Sequence, residues 1–134
     1  MRVLLDTSFL VSFFLIDKHQ EKAKDVFKKI VKGEIESIIS SLSYVELCGV
    51  IRRNTDKETA NKVKNKFNEL IESGLIKIVP LKILDAYEAG ELAIMTGLKG
   101  ADSIIAQAAI QNKAKLCTLD EEIIKKAKGI VEFF

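Results

Sequence analysis

Apolar residues along this chain fall into short unbroken runs separated by longer stretches of helical spacing. The first run, Val3-Leu4-Leu5, reads as a strand buried on both faces, as a parallel sheet requires, and it ends in Asp6-Thr7-Ser8. Phe9 to Ile16 is too apolar for a surface and predicts a short buried helix. Asp17-Lys18-His19-Gln20 has the form of a capping box. After it, Ala23, Val26, Phe27, Ile30 and Val31 share one helical face until Gly33. Glu36 to Ser40 predicts a second strand. Ser43-Tyr44-Val45-Glu46 opens a helix to about Arg53, and a second helix covers Thr55 to Ser73, with Ala60, Val63, Phe67, Leu70 and Ile71 facing inward. The turn between these two helices predicts a hairpin projecting from the sheet.

Ile76, Ile78 and Val79 make a third strand, stopped by Pro80, the only proline. A helix from Ile83 to Thr96 ends at Gly97. Lys99-Gly100-Ala101-Asp102-Ser103 then leads into Ile104, Ile105, Ala108, Ala109 and Ile110, a helix whose small residues suit close packing on a sheet. Lys115 to Leu119 predicts a fourth strand, Asp120 to Lys128 a last helix and Ile130 to Phe133 a closing strand. Strands that alternate with helices imply right-handed crossovers, hence a parallel α/β sheet with helices on both faces. A length of 134 residues suits one domain, 1–134, and no linker, repeat or low-complexity tract divides it.

Composition narrows this picture only slightly. Charged residues make up 30% of the chain and hydrophobic ones 48%, which excludes a disordered protein. The net charge of +2 does not by itself mark a nucleic-acid binder; gathering four acids into one site would leave the remaining surface at +6. Cys48 and Cys117 lie in apolar segments without CxxC spacing, so reduced, inert thiols and a cytoplasmic location are expected. Asp6 interrupts the apolar start, so no secretory leader is read, and no run reaches membrane-spanning length. The single histidine, His19, falls at an exposed first turn and reads as a surface or capping residue.

Four acids share one kind of position. Asp6, Glu46, Asp102 and Asp120 each follow a strand end or glycine break and fall at or near a helix start. In a parallel sheet these places lie along one edge, where ligands bind, so distant residues can converge there. Each also has an ordinary explanation as a cap: Ser43 with Glu46 as a capping box, Asp6 and Asp120 as N-caps, Asp102 as a helix-dipole partner. The apolar neighbours of Asp6, Glu46 and Asp102 argue for a partly buried cleft instead. Carboxylates gathered there repel unless a cation neutralises them. An oxygen-only set with no histidine or cysteine ligands selects Mg²⁺ or Mn²⁺, whose usual chemistry is phosphodiester hydrolysis.

The ordered set Leu4-Leu5-Asp6-Thr7-Ser8, Ser43-Tyr44-Val45-Glu46-Leu47, Gly100-Ala101-Asp102-Ser103-Ile104-Ile105-Ala106-Gln107-Ala108 and Cys117-Thr118-Leu119-Asp120 resembles the PIN-domain family. It is most similar to the small VapC-type toxins of toxin-antitoxin pairs, over nearly the whole chain. The resemblance implies a three-layer α/β/α fold around a parallel sheet and a metal-dependent ribonuclease. It implies that Asp6 and Asp102 hold the metal most directly. Glu46 would be a third ligand or orient the attacking water, Asp120 would be a fourth acid, and Ser8 would support the site. Relatives often carry an aromatic residue shortly after the last acid, whereas here Glu121, Glu122 and Ile123 follow.

The substrate implied is RNA, with Lys99, Arg52 and Arg53 as candidate phosphate contacts. The lysines of the hairpin, Lys57, Lys62, Lys64 and Lys66, read as a solvated face. The resemblance further implies a cognate antitoxin laid into an apolar groove and a homodimer, to which Phe9 to Ile16 and the hairpin would contribute apolar surface. One alternative is a noncatalytic RNA-binding or regulatory module on the same fold, although repulsive carboxylates would bring such a module nothing. A phosphatase or phosphotransfer receiver ranks third. Ser8 stands where haloacid-dehalogenase-like enzymes have a second Asp, and no adjacent acidic pair precedes Asp6 as in receivers.

Overall fold

The computed structural model describes residues 1–134. Four parallel strands, β1 (Arg2–Leu5), β2 (Glu36–Ser40), β3 (Ile76–Val79) and β4 (Lys115–Cys117), form one sheet in the order β3-β2-β1-β4. Between them run α1 (Thr7–Phe14), α2 (Gln20–Val31), α3 (Ser41–Asn54), α4 (Lys57–Glu72), α5 (Ile83–Thr96) and α6 (Gly100–Gln111), with α7 (Glu121–Lys126) after β4. Strand alternation divides the interior in two. Val3, Leu5, Ile39 and Ile76 point to one side, into a core built with α1–α4; Leu4, Ile38 and Leu116 point to the other, against α6, α7 and the C-terminal segment. Helices therefore cover both faces of a parallel sheet, the expected three-layer α/β/α architecture.

The hairpin of α3 and α4 does not project. Leu47, Ile51 and Phe67, each no more than 1% exposed, join the core of β1 and β2, and Tyr44 Oη donates to Asn68 Oδ1 at 2.6 Å across the pair. Burying those three side chains is worth roughly 1.5–3 kcal/mol each, far more than an outstretched hairpin would recover. The expected capping box at Asp17 is also replaced. Asp17 accepts from the backbone N–H of His19 at 2.8 Å and from Ser12 Oγ at 2.8 Å, closing the turn ahead of α2, and His19 takes the N-cap position without a side-chain bond.

The closing strand shrinks to two isolated bridges, of which one, at Phe133, reaches the sheet. Phe133 pairs with Leu116, Leu116 N–H donates to Glu132 O and Phe134 N–H to Leu116 O, too short a ladder for a strand. β4 likewise stops at Cys117, two residues early, because Thr118 turns its hydroxyl toward Asp6. On the opposite side of the sheet, buried Gln107 of α6 donates through its amide to Glu88 at 2.9 Å and more weakly to Asp85, and Asp85 accepts from Lys82 N–H at 2.8 Å. These bonds lock α6, the helix carrying Asp102, against α5.

Candidate active site

The chain leaves β1 toward β2 on one side, whereas β4 pairs with the other edge of β1, so the sheet order reverses between β1 and β4. At such a switch point the loops beyond the strand ends part and leave a crevice. Asp6 stands there, at the end of β1, and Thr118 and Asp120 stand at the end of β4.

Asp6 is 5% exposed and fully engaged. Its Oδ1 accepts from Thr7 N–H at 2.8 Å, and its Oδ2 accepts from Thr118 Oγ1 at 2.7 Å and from Ser8 Oγ at 3.0 Å. Burial pushes its carboxyl above the ordinary aspartate value. The donors from Thr118, Ser8 and Thr7 pull it back, and the charge of Asp120 adds to the rise. The cap reading is thus correct for Asp6 but incomplete, because two side-chain donors from other positions aim at the same group.

Asp120 is also a genuine cap, accepting at Oδ1 from the N–H groups of Glu122 at 2.9 Å and Ile123 at 3.4 Å. Its own N–H donates to Thr118 Oγ1 at 3.0 Å, so one hydroxyl ties Asp6 to Asp120. Asp102, in the first turn of α6, engages no donor of the chain. Its carboxyl is pushed up to about 6, by burial first and then by the charges of Asp120 and Asp6, with Lys99 opposing. Asp102, at the start of α6, therefore feels the charges of both Asp6 and Asp120, from the ends of β1 and β4.

The capping-box explanation fails for Glu46. Helix α3 starts earlier, at Ser41, capped by Ser40, whose Oγ accepts from Leu42 N–H at 3.2 Å. Ser43 is buried with its hydroxyl unpaired, and Glu46 lies more than a turn inside the helix, where there is no end to cap. Glu46 instead accepts from Thr7 Oγ1 at 2.8 Å through Oε1. Thr7 thus links the two acids: its N–H serves Asp6 and its hydroxyl serves Glu46.

Ser8 Oγ donates to Asp6 Oδ2 and accepts from Leu119 N–H at 3.2 Å, which ties the start of α1 to the segment after β4. Thr7 and Thr118 were not singled out from the sequence. Their only signal was a hydroxyl residue next to Asp6 and another two before Asp120. Lys126 adds a strap, reaching Glu122 Oε1 at 2.6 Å and Gly97 O at 3.1 Å, which joins α7 to the turn that precedes α6.

The four acids are brought to one edge as neighbours but not as a closed ligand set: no group of three or more acidic, histidine or cysteine side chains stands in position to hold a metal ion. The donor chemistry nevertheless fits a hard divalent cation. Every candidate ligand is a carboxylate oxygen, and burial together with the charges of Asp120 and Asp6 raises the Asp102 carboxyl, a repulsion that such a cation would relieve. Cys117, the nearby thiol, is buried and pushed up to about 12, which makes it inert.

A three-layer α/β/α fold with carboxylates converging at the switch point of a parallel sheet defines a class of proteins, and the comparisons identify which. The model of the PIN domain family matches residues 3–129, so the chain belongs to the PIN domain family. Among solved structures it is similar to VapC20 of Mycobacterium tuberculosis, a Sarcin-Ricin loop cleaving toxin, at 15% identity and a TM-score of 0.78, with 97% of each chain covered. It is similar also to VapBC2 from Rickettsia felis bound to a DNA fragment from its promoter, at 22% identity and a TM-score of 0.75, covering 100% of this chain and 98% of that one. PAE2754 from Pyrobaculum aerophilum gives 22% identity and a TM-score of 0.70, covering 98% and 83%. At these identities the likeness is one of fold. No curated protein sequence matches the chain.

Proposed function

We propose that this protein, as a single PIN domain over residues 1–134, is a Mg²⁺- or Mn²⁺-dependent endoribonuclease and the toxin of a VapBC-type pair. The carrying observation is the hydrogen-bonded set Thr7-Asp6-Thr118-Asp120 at the switch point, with Asp102 electrostatically joined to it. Asp6 and Asp102 would hold the metal, with Glu46 and Asp120 as further acids. When bound, it supplies Lewis-acid stabilisation of the phosphoryl group and lowers the pKa of the attacking water. Thr118 and Ser8 hold Asp6 in one rotamer, and Thr7 holds one oxygen of Glu46, leaving the other to orient or deprotonate water. Asp120 spends Oδ1 on its helix and keeps Oδ2 for the site.

Two surfaces suit the partners of such a toxin. A groove of about 490 Å³ has Phe13, Phe27, Val31 and Leu70 as its apolar lining and Lys24, Lys28, Lys32 and Lys66 at its margin. An amphipathic antitoxin segment with acidic flanks fits it. The exposed apolar surface suited to a second copy lies on α5 and not on Phe9 to Ile16. Phe9 and Leu10 are buried, Val11, Phe13, Phe14 and Leu15 pack partly against the core, and only Ile16 stands free. On α5, by contrast, Ile83, Leu84, Tyr87, Ile94 and Met95 are 65–84% exposed. Ile83, Tyr87, Gly90 and Ile94 follow the i, i+4, i+7, i+11 spacing of an interhelical seam. A specific interface between two copies there would have to bury at least about 1,000 Å².

Titration with Mn²⁺ separates this reading from a noncatalytic module on the same fold. Saturable binding that Asp102→Asn abolishes is expected, and no saturable binding would favour the module.

A further inference from the structure

Glycine weakens a helix interior relative to alanine, yet Gly49 sits in the middle of α3 with ordinary helical backbone. A Cβ placed on it would stand 3.0 Å from Nη1 of Arg53 and 3.9 Å from its Cζ, with no other side chain within 4 Å. The guanidinium of Arg53 is therefore folded back along the helix and seated in the notch that Gly49 leaves. Long helical side chains lean toward the N-terminus of their helix, and here that is toward Glu46. Glu46, Gly49 and Arg53 are spaced i, i+3, i+7 and share one face of α3. By the helical rise, the notch lies roughly 4.5 Å along the axis from Glu46. Arg53 takes part in none of the chain's ion pairs, so its five donors are free. Its neighbour Arg52 differs, since its charge acts on Asp56 at the cap of α4.

A cleft of carboxylates repels a polyanion, so the site needs a cation beside it that meets phosphate without neutralising the acids. We propose that Arg53, held in the Gly49 notch, is a substrate-binding residue that grips a backbone phosphate of the RNA strand adjacent to the one being cut. The planar guanidinium fork suits bidentate phosphate recognition, and its preset position reduces the rotamer freedom lost on binding. This inference rests on the ribonuclease reading.

The test uses Arg53→Gln, Arg53→Lys, Gly49→Leu and the Gly49→Leu/Arg53→Gln double variant. Each is made in an Asp102→Asn background that cannot cut, and binding of a single-stranded RNA oligonucleotide is measured across a salt series. Arg53→Gln is expected to weaken binding about fivefold to tenfold and to reduce the slope of log affinity against log salt by about 0.7, one phosphate contact. Arg53→Lys restores the slope but not the full affinity. Gly49→Leu fills the notch, improves helix propensity and weakens binding as much as Arg53→Gln does; the double variant loses nothing further. Arg53 is exposed, so Arg53→Gln keeps its fold and remains informative even if Gly49→Leu does not fold. Unchanged binding for Arg53→Gln, alongside Mg²⁺-dependent cutting by the parent, overturns the role of Arg53 alone. A parent that neither binds nor cuts RNA removes the ribonuclease reading beneath it, and the proposal with it.

Discussion

Replacing Asp102 with asparagine should make the metal-free protein more stable, not less. In the fold the Asp102 carboxyl is pushed from 3.8 to about 6 by burial and by the charges of Asp120 and Asp6. That rise corresponds to roughly 3 kcal/mol against the ionised form. Asp102 is only partly buried, so solvent screening reduces this to about 1–2 kcal/mol. The sign follows from proton linkage: between 3.8 and 6 the folded state holds more protons than the unfolded chain, so stability falls as pH rises through that window. The penalty is complete above pH 6 and fades as pH drops toward 3.8. Asparagine keeps the shape and removes the charge. Thermal unfolding followed by circular dichroism in EDTA at pH 7.5 should therefore show Asp102→Asn melting about 3–7 °C above the parent, with the gap closing below pH 4. Excess Mg²⁺ should reverse the order, because only the parent gains binding free energy, about 2.7 kcal/mol at a hundredfold excess over Kd. Equal melting temperatures in EDTA at pH 7.5 would refute the claim that the folded protein disfavours the Asp102 carboxylate.

Thr118→Val should weaken Mn²⁺ binding about tenfold while lowering stability by no more than about 1–2 kcal/mol, since it removes the 2.7 Å donor to Asp6 and the acceptor for Asp120 N–H; isothermal titration and urea unfolding read the two effects. Phe67→Ala should cost about 3–5 kcal/mol by urea unfolding, because its ring is 1% exposed between α3 and α4 beneath Phe14 and Tyr44. A double change of Tyr87 and Ile94 to Glu should yield a monomer by light scattering with the circular dichroism spectrum unchanged; a dimer in that variant would remove α5 as the interface. Metal affinity should fall as pH drops through 6, since protonating Asp102 removes a ligand; a pH-independent affinity between 5 and 7.5 would exclude Asp102 from the metal site.

The layers of the fold were legible because their signals are local. Val3 to Leu5 had to be a doubly buried strand, and Gly33, Gly74 and Gly97 ended their helices in left-handed backbone as expected. The positions of Asp6, Asp102 and Asp120 were legible because each stands just past a strand end or glycine break, whereas Glu46 lies more than a turn inside α3. Harder to read were features that depend on distant partners. Thr118 matters through Asp6, 112 positions away, and Thr7 through Glu46, 39 away, and no local pattern distinguishes these hydroxyls from any other threonine. The true start of α3 was hidden because Ser40, Ser41 and Ser43 are all credible caps; only the paired strand β2, running to Ser40, decides among them. The closing segment carried strand-like residues, but its length of pairing is set by the path after Gly129, which no residue pattern states.

The most direct test is cleavage itself. A labelled RNA should be cut internally by the purified chain in Mg²⁺, remain intact in EDTA, and remain intact with Asp6→Asn in Mg²⁺, while that variant keeps the parent's circular dichroism spectrum. Cutting by folded Asp6→Asn at the parental rate would contradict the account.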